Sequence, residues 1–151
     1  NGRPALGIAV AGGTGTGVFT ALQSVYAWLC LWQYRPLDPL PVTRFNYDAV
    51  LSQAPSLGRT LAERPAQGHD GIADLLLAYN RLPYMDQGRV DEFRWLAEQI
   101  AAGLDRRGGD PDAARQIWQI LAEGATYAEA GDEENAAEHY VRAYLTGREA
   151  W

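Results

Sequence analysis

"VAGGTGTGVF", residues 10–19, is the stretch on which the reading of this chain turns. Its middle holds four glycines and two threonines in six positions, behind the apolar run "ALGIAVAG" and ahead of "VFTALQSVYAWLCLWQY". Glycine loses the most backbone freedom on folding, so such a cluster does not build a core. A short apolar run closed by glycine predicts a strand covered on both faces, spanning Ala5 to Ala11. The segment after the loop predicts a helix, apolar nearly all round, that buries Phe19, Leu22, Tyr26, Leu29 and Leu31 against a sheet. Strand, glycine loop and helix together offer backbone N–H groups and a positive helix end to an anion.

Two nucleotide fingerprints fail at this loop. A dinucleotide fold needs G-x-G-x-x-G, and counting from Gly13 the third glycine falls on Val18. A P-loop has the spacing from Gly12 to Gly17 but needs lysine where Val18 stands. "AGGTGTG" resembles the glycine-rich loop of the tubulin and FtsZ GTPases, whose preceding nucleotide-binding strands have no counterpart here.

Downstream, "RPLDPLPVTRF" cannot be helical, since three prolines lack the N–H and clash with the preceding turn. Its end predicts a second short strand near Val42, parallel to the first. "NYDAVLSQAPSLGRTLAER" predicts a helix capped by Asn46 or Asp48, kinked or broken at Pro55. Beyond a change of character near residue 67 everything reads as helix: "GIADLLLAYNRL", "RVDEFRWLAEQIAAGL", "DPDAARQIWQILAEGATYAEAG" and "DEENAAEHYVRAYLTG". The breaks carry Gly stops, an Asp110 cap with Pro111 in the first turn, and an acidic turn after Gly131. The expected organisation is therefore an α/β segment over residues 1–67 (strand, helix, strand, helix) and an all-α extension over 68–151, helix-rich overall. In the extension, Gly124, Tyr127, Gly131, Ala136, Tyr140 and Ala143 fall at offsets used by tetratricopeptide repeats, which predicts a TPR-like hairpin at 113–146. Gly124 and Ala136 are expected at its closest contact. A generic antiparallel hairpin explains the same residues.

Composition narrows the function. The chain has 151 residues, 47% of them apolar, and a formal charge of −6; its thirteen basic residues are all arginine. That balance argues against a nucleic-acid binder, which needs clustered positive charge. One cysteine, Cys30, excludes an internal disulfide and a multi-thiolate metal site, and it reads as a buried small hydrophobe. His69 and His139 lack partners at ligand spacing, so no metal is expected. Residues 4–34 carry no charge and are long enough to span a bilayer, but the glycine-rich irregular backbone inside them is poorly tolerated in lipid. With no signal-peptide pattern, the expected location is cytoplasmic.

"GRPALGIAVAGGTGTG", the helix after it, "RPLDPLPVTRFN" and "SLGRTLAER" together resemble the C-terminal half of flavodoxin-like flavoproteins, of the NAD(P)H-dependent FMN reductase and multimeric flavodoxin type. The likeness covers roughly residues 2–65. It implies that these residues form the fourth and fifth strands of a parallel sheet with their helices. It further implies that Gly12, Gly13, Thr14, Gly15, Thr16 and Gly17 lie along the edge of a bound FMN ring, with Arg44 and Asn46 in the same crevice. The family's phosphate loop follows its first strand, and this chain has no counterpart to that strand or to the next two. A missing N-terminal segment or a protein partner is expected to complete the sheet. The implied activity is flavin-dependent NAD(P)H oxidoreduction, with electrons passing through FMN and no catalytic side chain of the protein's own. The alternative is a non-catalytic accessory or scaffold subunit of a larger complex, membrane-associated or not. There the α/β layer is a scaffold and Trp95, Trp118, Tyr127, Tyr140 and Trp151 serve docking.

Overall fold

The computed structural model describes residues 2–68 and 71–151. Its elements run β1 (Pro4–Ala5), β2 (Ile8–Ala11), α1 (Val18–Leu31), β3 (Arg35–Pro36), β4 (Leu40–Thr43), α2 (Tyr47–Glu63), α3 (Ile72–Asn80), α4 (Arg89–Arg107), α5 (Pro111–Glu129) and α6 (Glu133–Ala150). This is a helix-rich α/β chain with two short parallel sheets, β1–β3 and β2–β4. It divides into two compact units: Asn1–Gly13 with Gly17–Gln87, and Thr14–Thr16 with Gly88–Trp151.

In the strand unit, what reads as one strand from Ala5 to Ala11 is two. Pro4 lies opposite Arg35, whereas Ile8 lies opposite Leu40. Leu6 and Gly7 therefore face Leu37, Asp38 and Pro39, one residue too many for a continuous ladder. That is a bulge, and Pro39, with no N–H to pair, suits it. Tyr26 of α1 closes the gap. Its hydroxyl accepts the Gly7 N–H at 2.9 Å and donates to the Leu37 carbonyl at 2.6 Å. Gly7 has to be glycine, because a Cβ there would lie 2.1 Å from the Tyr26 ring. Burial pushes the Tyr26 phenol up to about 12, against the lowering effect of the Gly7 hydrogen bond.

The expected parallel pairing holds beyond the bulge, with Val10 opposite Val42. Coverage is one-sided, however. Val18, Phe19, Leu22 and Tyr26 are buried, and Ala9 with them, while Ile8 and Val10 on the other face of β2 are 51% and 75% exposed. Alternation along a strand sends neighbouring side chains to opposite faces, and on β2 only one of them is covered, whereas Pro41, Val42 and Thr43 of β4 are all buried. Leu31, expected in the core, is exposed together with Trp28 and Trp32. The α2 helix touches β4 but buries none of its residues. It also runs through Pro55 unbroken, so of the expected kink or break the break does not occur. Pro55 deprives only the Leu51 carbonyl of a partner, and Leu51 is exposed, so water can serve that carbonyl.

The strand unit extends past the composition change at 67 because α3 packs on α1 and β3. Tyr79 donates to the Tyr34 carbonyl at 2.9 Å, and its ring meets Tyr26 edge-on. Residues 81–87 are not helical, a correction to the all-helix reading. They fold back on α1, where the Gln23 carboxamide donates to the carbonyls of Tyr84 and Gln87 at 2.9 Å each.

In the second unit, α4, α5 and α6 pack on one another. The Asp110 carboxylate accepts from the N–H groups of Asp112 and Ala113, the cap expected from sequence, and the Asp132 carboxylate accepts from the Asn135 N–H. Gly131 turns with φ of 77° between α5 and α6. The hairpin packs closely at Gly124, as expected. A Cβ at Gly124 would lie 2.8 Å from the Tyr140 ring and 3.1 Å from the His139 Cβ, so Gly124 receives the Tyr140 ring. Ala136 is itself buried, and Gly147 gives way in the same manner to Ile100.

Candidate functional site

The site expected from sequence centres on the glycine loop at the carboxyl ends of β2 and β4. Three of its glycines have a local explanation: Gly13, Gly15 and Gly17 sit at φ of 58°, 80° and 88°, where a side chain would be strained. Gly12 is different. It needs no left-handed backbone, and a Cβ added to it would meet nothing within 4 Å. Neither conformation nor packing within the chain demands glycine there, and the space beside it is open.

Gly17 holds the N-cap position of α1, and no side chain caps that helix. The first helical bond runs from the Ala21 N–H to the Gly17 carbonyl. The loop tip, by contrast, belongs to the helical unit. Gly15 is buried, the Thr14 and Thr16 hydroxyls bond to each other at 2.9 Å, and Tyr144 donates to the Thr14 carbonyl at 2.9 Å. Tyr144 is in turn fixed by Phe93, ring to ring at 5.1 Å. The two hydroxyls expected to face a cofactor thus face one another.

Arg44 is exposed after β4, with its guanidinium 4.8 Å from the centre of the Phe45 ring, a cation–π seat. Among the described residues it has no acidic partner, which removes the surface ion pair that would otherwise account for it. Asn46 is only 6% exposed, and its side chain is consumed by the fold. Its Oδ1 accepts from the Thr43 N–H at 2.7 Å and the Thr43 hydroxyl at 3.2 Å, while Nδ2 donates to the Pro41 carbonyl at 2.9 Å. It stands at the N-cap position of α2 without capping it. This Asx-type turn swings the chain from β4 into α2 and leaves Asn46 little with which to hold a ligand.

The other candidates fall outside any site. Cys30 is half-buried and burial pushes its thiol up, the opposite of what a reactive thiolate needs. His139 leans on helix α5, with Nδ1 2.8 Å from the Asn135 carbonyl and Nε2 3.6 Å from Glu123. His69 lies outside the described residues. Among the described residues no three potential metal ligands cluster, and no helix is long and apolar enough to cross a membrane. Of the aromatic residues expected to dock partners, Tyr140 is core and only Trp118 and Tyr127 are substantially exposed. The exposed tryptophans that sequence reading missed are Trp28 and Trp32. A helix apolar all round is the available signal, because a single sheet can cover only part of its circumference.

Comparison with protein-family models, curated proteins and solved structures finds no match for this chain.

Proposed function

We propose that the strand unit is the ring-facing part of a flavin-binding module, and that the chain works in flavin-dependent NAD(P)H oxidoreduction. The observation that carries this reading is Gly12: a glycine without a conformational or packing reason, in open space where two parallel strands end and an uncapped helix begins. Open α/β sheets bind ligands outside the carboxyl ends of their strands, and a missing side chain lets a flat ring approach the backbone. The fit to FMN is partial. Gly12, Gly13 and Gly17 can border a ring and Arg44 can meet its polar edge or its phosphate, but Asn46 is withdrawn. FMN held there would supply the hydride and electron transfer; the chain's own part is to present N–H donors and exclude bulk from one ring edge. The phosphate would fall to a further segment or a partner that completes the sheet beside β2.

Gly12→Val tests this, because a Cβ at that position meets no atom within 4 Å. FMN fluorescence quenching should saturate with the native protein and be lost with the variant, at unchanged helix content by circular dichroism. Absence of FMN binding to the native protein, or equal binding by both, overturns the reading.

A second reading, a non-catalytic subunit of a larger assembly, is favoured by a different observation. Ile8, Val10, Trp28, Leu31 and Trp32 are all exposed on the strand unit, and large apolar side chains left exposed together mark interaction surfaces. The Tyr144 hydrogen bond to the loop tip agrees with it, since it gives the loop a structural task. Absence of FMN binding to the native protein in the test above would leave this reading in the lead.

A further inference from the structure

We propose that the strand unit carries an oxyanion-binding site at the amino ends of its strands, the end away from the glycine loop, formed by Arg35 and Arg64. Both arginines line a cavity of about 330 Å³ whose other walls are Pro4, Pro65 and Gln67. Arg35 is the residue opposite Pro4 in the β1–β3 pair, and Arg64 closes the carboxyl end of α2. One of the Arg35 terminal nitrogens donates to the Gln67 side-chain oxygen, which orients the guanidinium. Its Nε, however, is buried and has no hydrogen-bond partner among the described residues.

A charged donor shut off from water and left unpaired is costly, and native proteins rarely tolerate one without an ion or ligand to meet it. Some arginines of this acidic chain meet carboxylates: Arg115 pairs with Asp112 at 2.7 Å and Arg142 with Glu123 at 3.0 Å. Arg35 and Arg64 share one cavity and, among the described residues, neither has an acidic partner. Two guanidiniums facing one space without a carboxylate repel each other until an anion enters, and their planar forks suit carboxylate or phosphate oxygens.

The adjoining space defines the rest of the ligand. Arg64 also lines a second cavity of about 220 Å³, walled mainly by Leu6, Pro36, Leu37 and Leu57, with Thr60 and Asp38 completing the lining. Aliphatic walls next to a cationic end call for a short apolar body behind the oxyanion head. The Asp38 carboxylate in the same lining opposes a second anionic group on the ligand. The ligand class is therefore a short-chain aliphatic acid with a single oxyanion head, a carboxylate or a phosphate ester. The site shares no residue with the proposed flavin surface, so either can fail without the other.

Hexanoate, its neutral counterpart hexanamide, and inorganic phosphate are titrated separately into the full chain and followed by amide chemical shifts. Hexanoate should saturate, moving the resonances of Arg35, Leu37, Arg64 and Gln67, and hexanamide should bind about tenfold more weakly or worse. Arg64→Gln, at an exposed helix end, should weaken hexanoate about tenfold while leaving the spectrum folded, and Arg35→Lys should weaken it as well because the buried Nε donor is gone. Equal binding of hexanoate and hexanamide, no saturable shift with hexanoate, or unchanged affinity in both variants overturns the proposal. Phosphate binding as tightly as hexanoate would also overturn it, since the apolar cavity would then contribute nothing.

Discussion

Tyr26→Phe is the most searching perturbation of the strand unit, because a single oxygen atom there serves two strands. The hydroxyl accepts from Gly7 and donates to Leu37, and the side chain is 1% exposed. Phenylalanine keeps the ring and the packing, so the change isolates the two hydrogen bonds. It leaves a buried N–H and a carbonyl unpaired at the bulge, each costing about 1–3 kcal/mol. Allowing for water reaching the Leu37 carbonyl, the expected destabilisation is about 2–4 kcal/mol, a large share of a typical domain's stability. Urea denaturation followed by circular dichroism measures it, with Tyr79→Phe as the internal control. Tyr79 makes one bond, to Tyr34, and its loss should cost about 1 kcal/mol. The same oxygen predicts a pH effect. Its folded pKa is raised from the ordinary 10.0 to about 12, so its contribution is complete below pH 10. Above that the unfolded chain loses the proton first, and stability falls until the pH passes the folded value. The shift corresponds to about 2–3 kcal/mol, absent in the phenylalanine variant. A Tyr26→Phe protein within about 0.5 kcal/mol of native, with an unchanged alkaline limb, refutes the bridging role.

Gly124→Ala should gain about 1 kcal/mol of helix propensity but lose about 1–3 to its collision with Tyr140, for a net neutral to mildly destabilising effect in a thermal melt. A clear gain in stability would mean the α5–α6 contact is looser than described. Pro55→Ala should stabilise, by up to about 3 kcal/mol, because α2 is exposed at that turn and regains a hydrogen bond; a loss in chemical denaturation would contradict that. Asp132 is held below the usual carboxylate range by hydrogen bonds from the Asn135 side chain and backbone. Its contribution is therefore present above the unfolded pKa and lost as pH falls through the folded one, and Asp132→Ala should remove that part of the acid dependence of stability.

The elements that were legible from sequence are those whose causes are local. Asp110 with Pro111, and Gly131 with Asp132, act within one turn of chain, and the helices begin and end where those residues place them. The parallel pairing of β2 with β4 was legible too, from two apolar runs separated by a helical segment. The bulge was not, because it depends on the register between residues about thirty positions apart, and nothing in "PLDPLP" reveals the count. The glycine loop was legible as a loop, but its glycines look alike in sequence. Only the backbone angles separate three turn-formers from Gly12. Asn46 was misassigned for a related reason: an asparagine before a helix can cap it or fold back, and the choice rests on the Thr43 and Pro41 groups already within reach.

The Tyr26 bridge has a bearing on how faithfully the carboxyl end of the sheet is positioned. Apolar packing alone lets a helix creep along a sheet, since one aliphatic contact is much like the next. A hydroxyl that must meet two backbone groups on two strands behaves instead as a key in a slot. Sliding α1 by one residue would carry Tyr26 about 1.5 Å along the axis and about 100° around it, out of reach of both partners. The strand unit thus has a fixed datum at mid-helix, and Gly17 lies a set number of turns upstream of it on the same rigid rod. The spot where α1 begins is calibrated from the far side of the bulge, so a change at Gly7, Leu37 or Tyr26 would be felt at Gly12 without touching it.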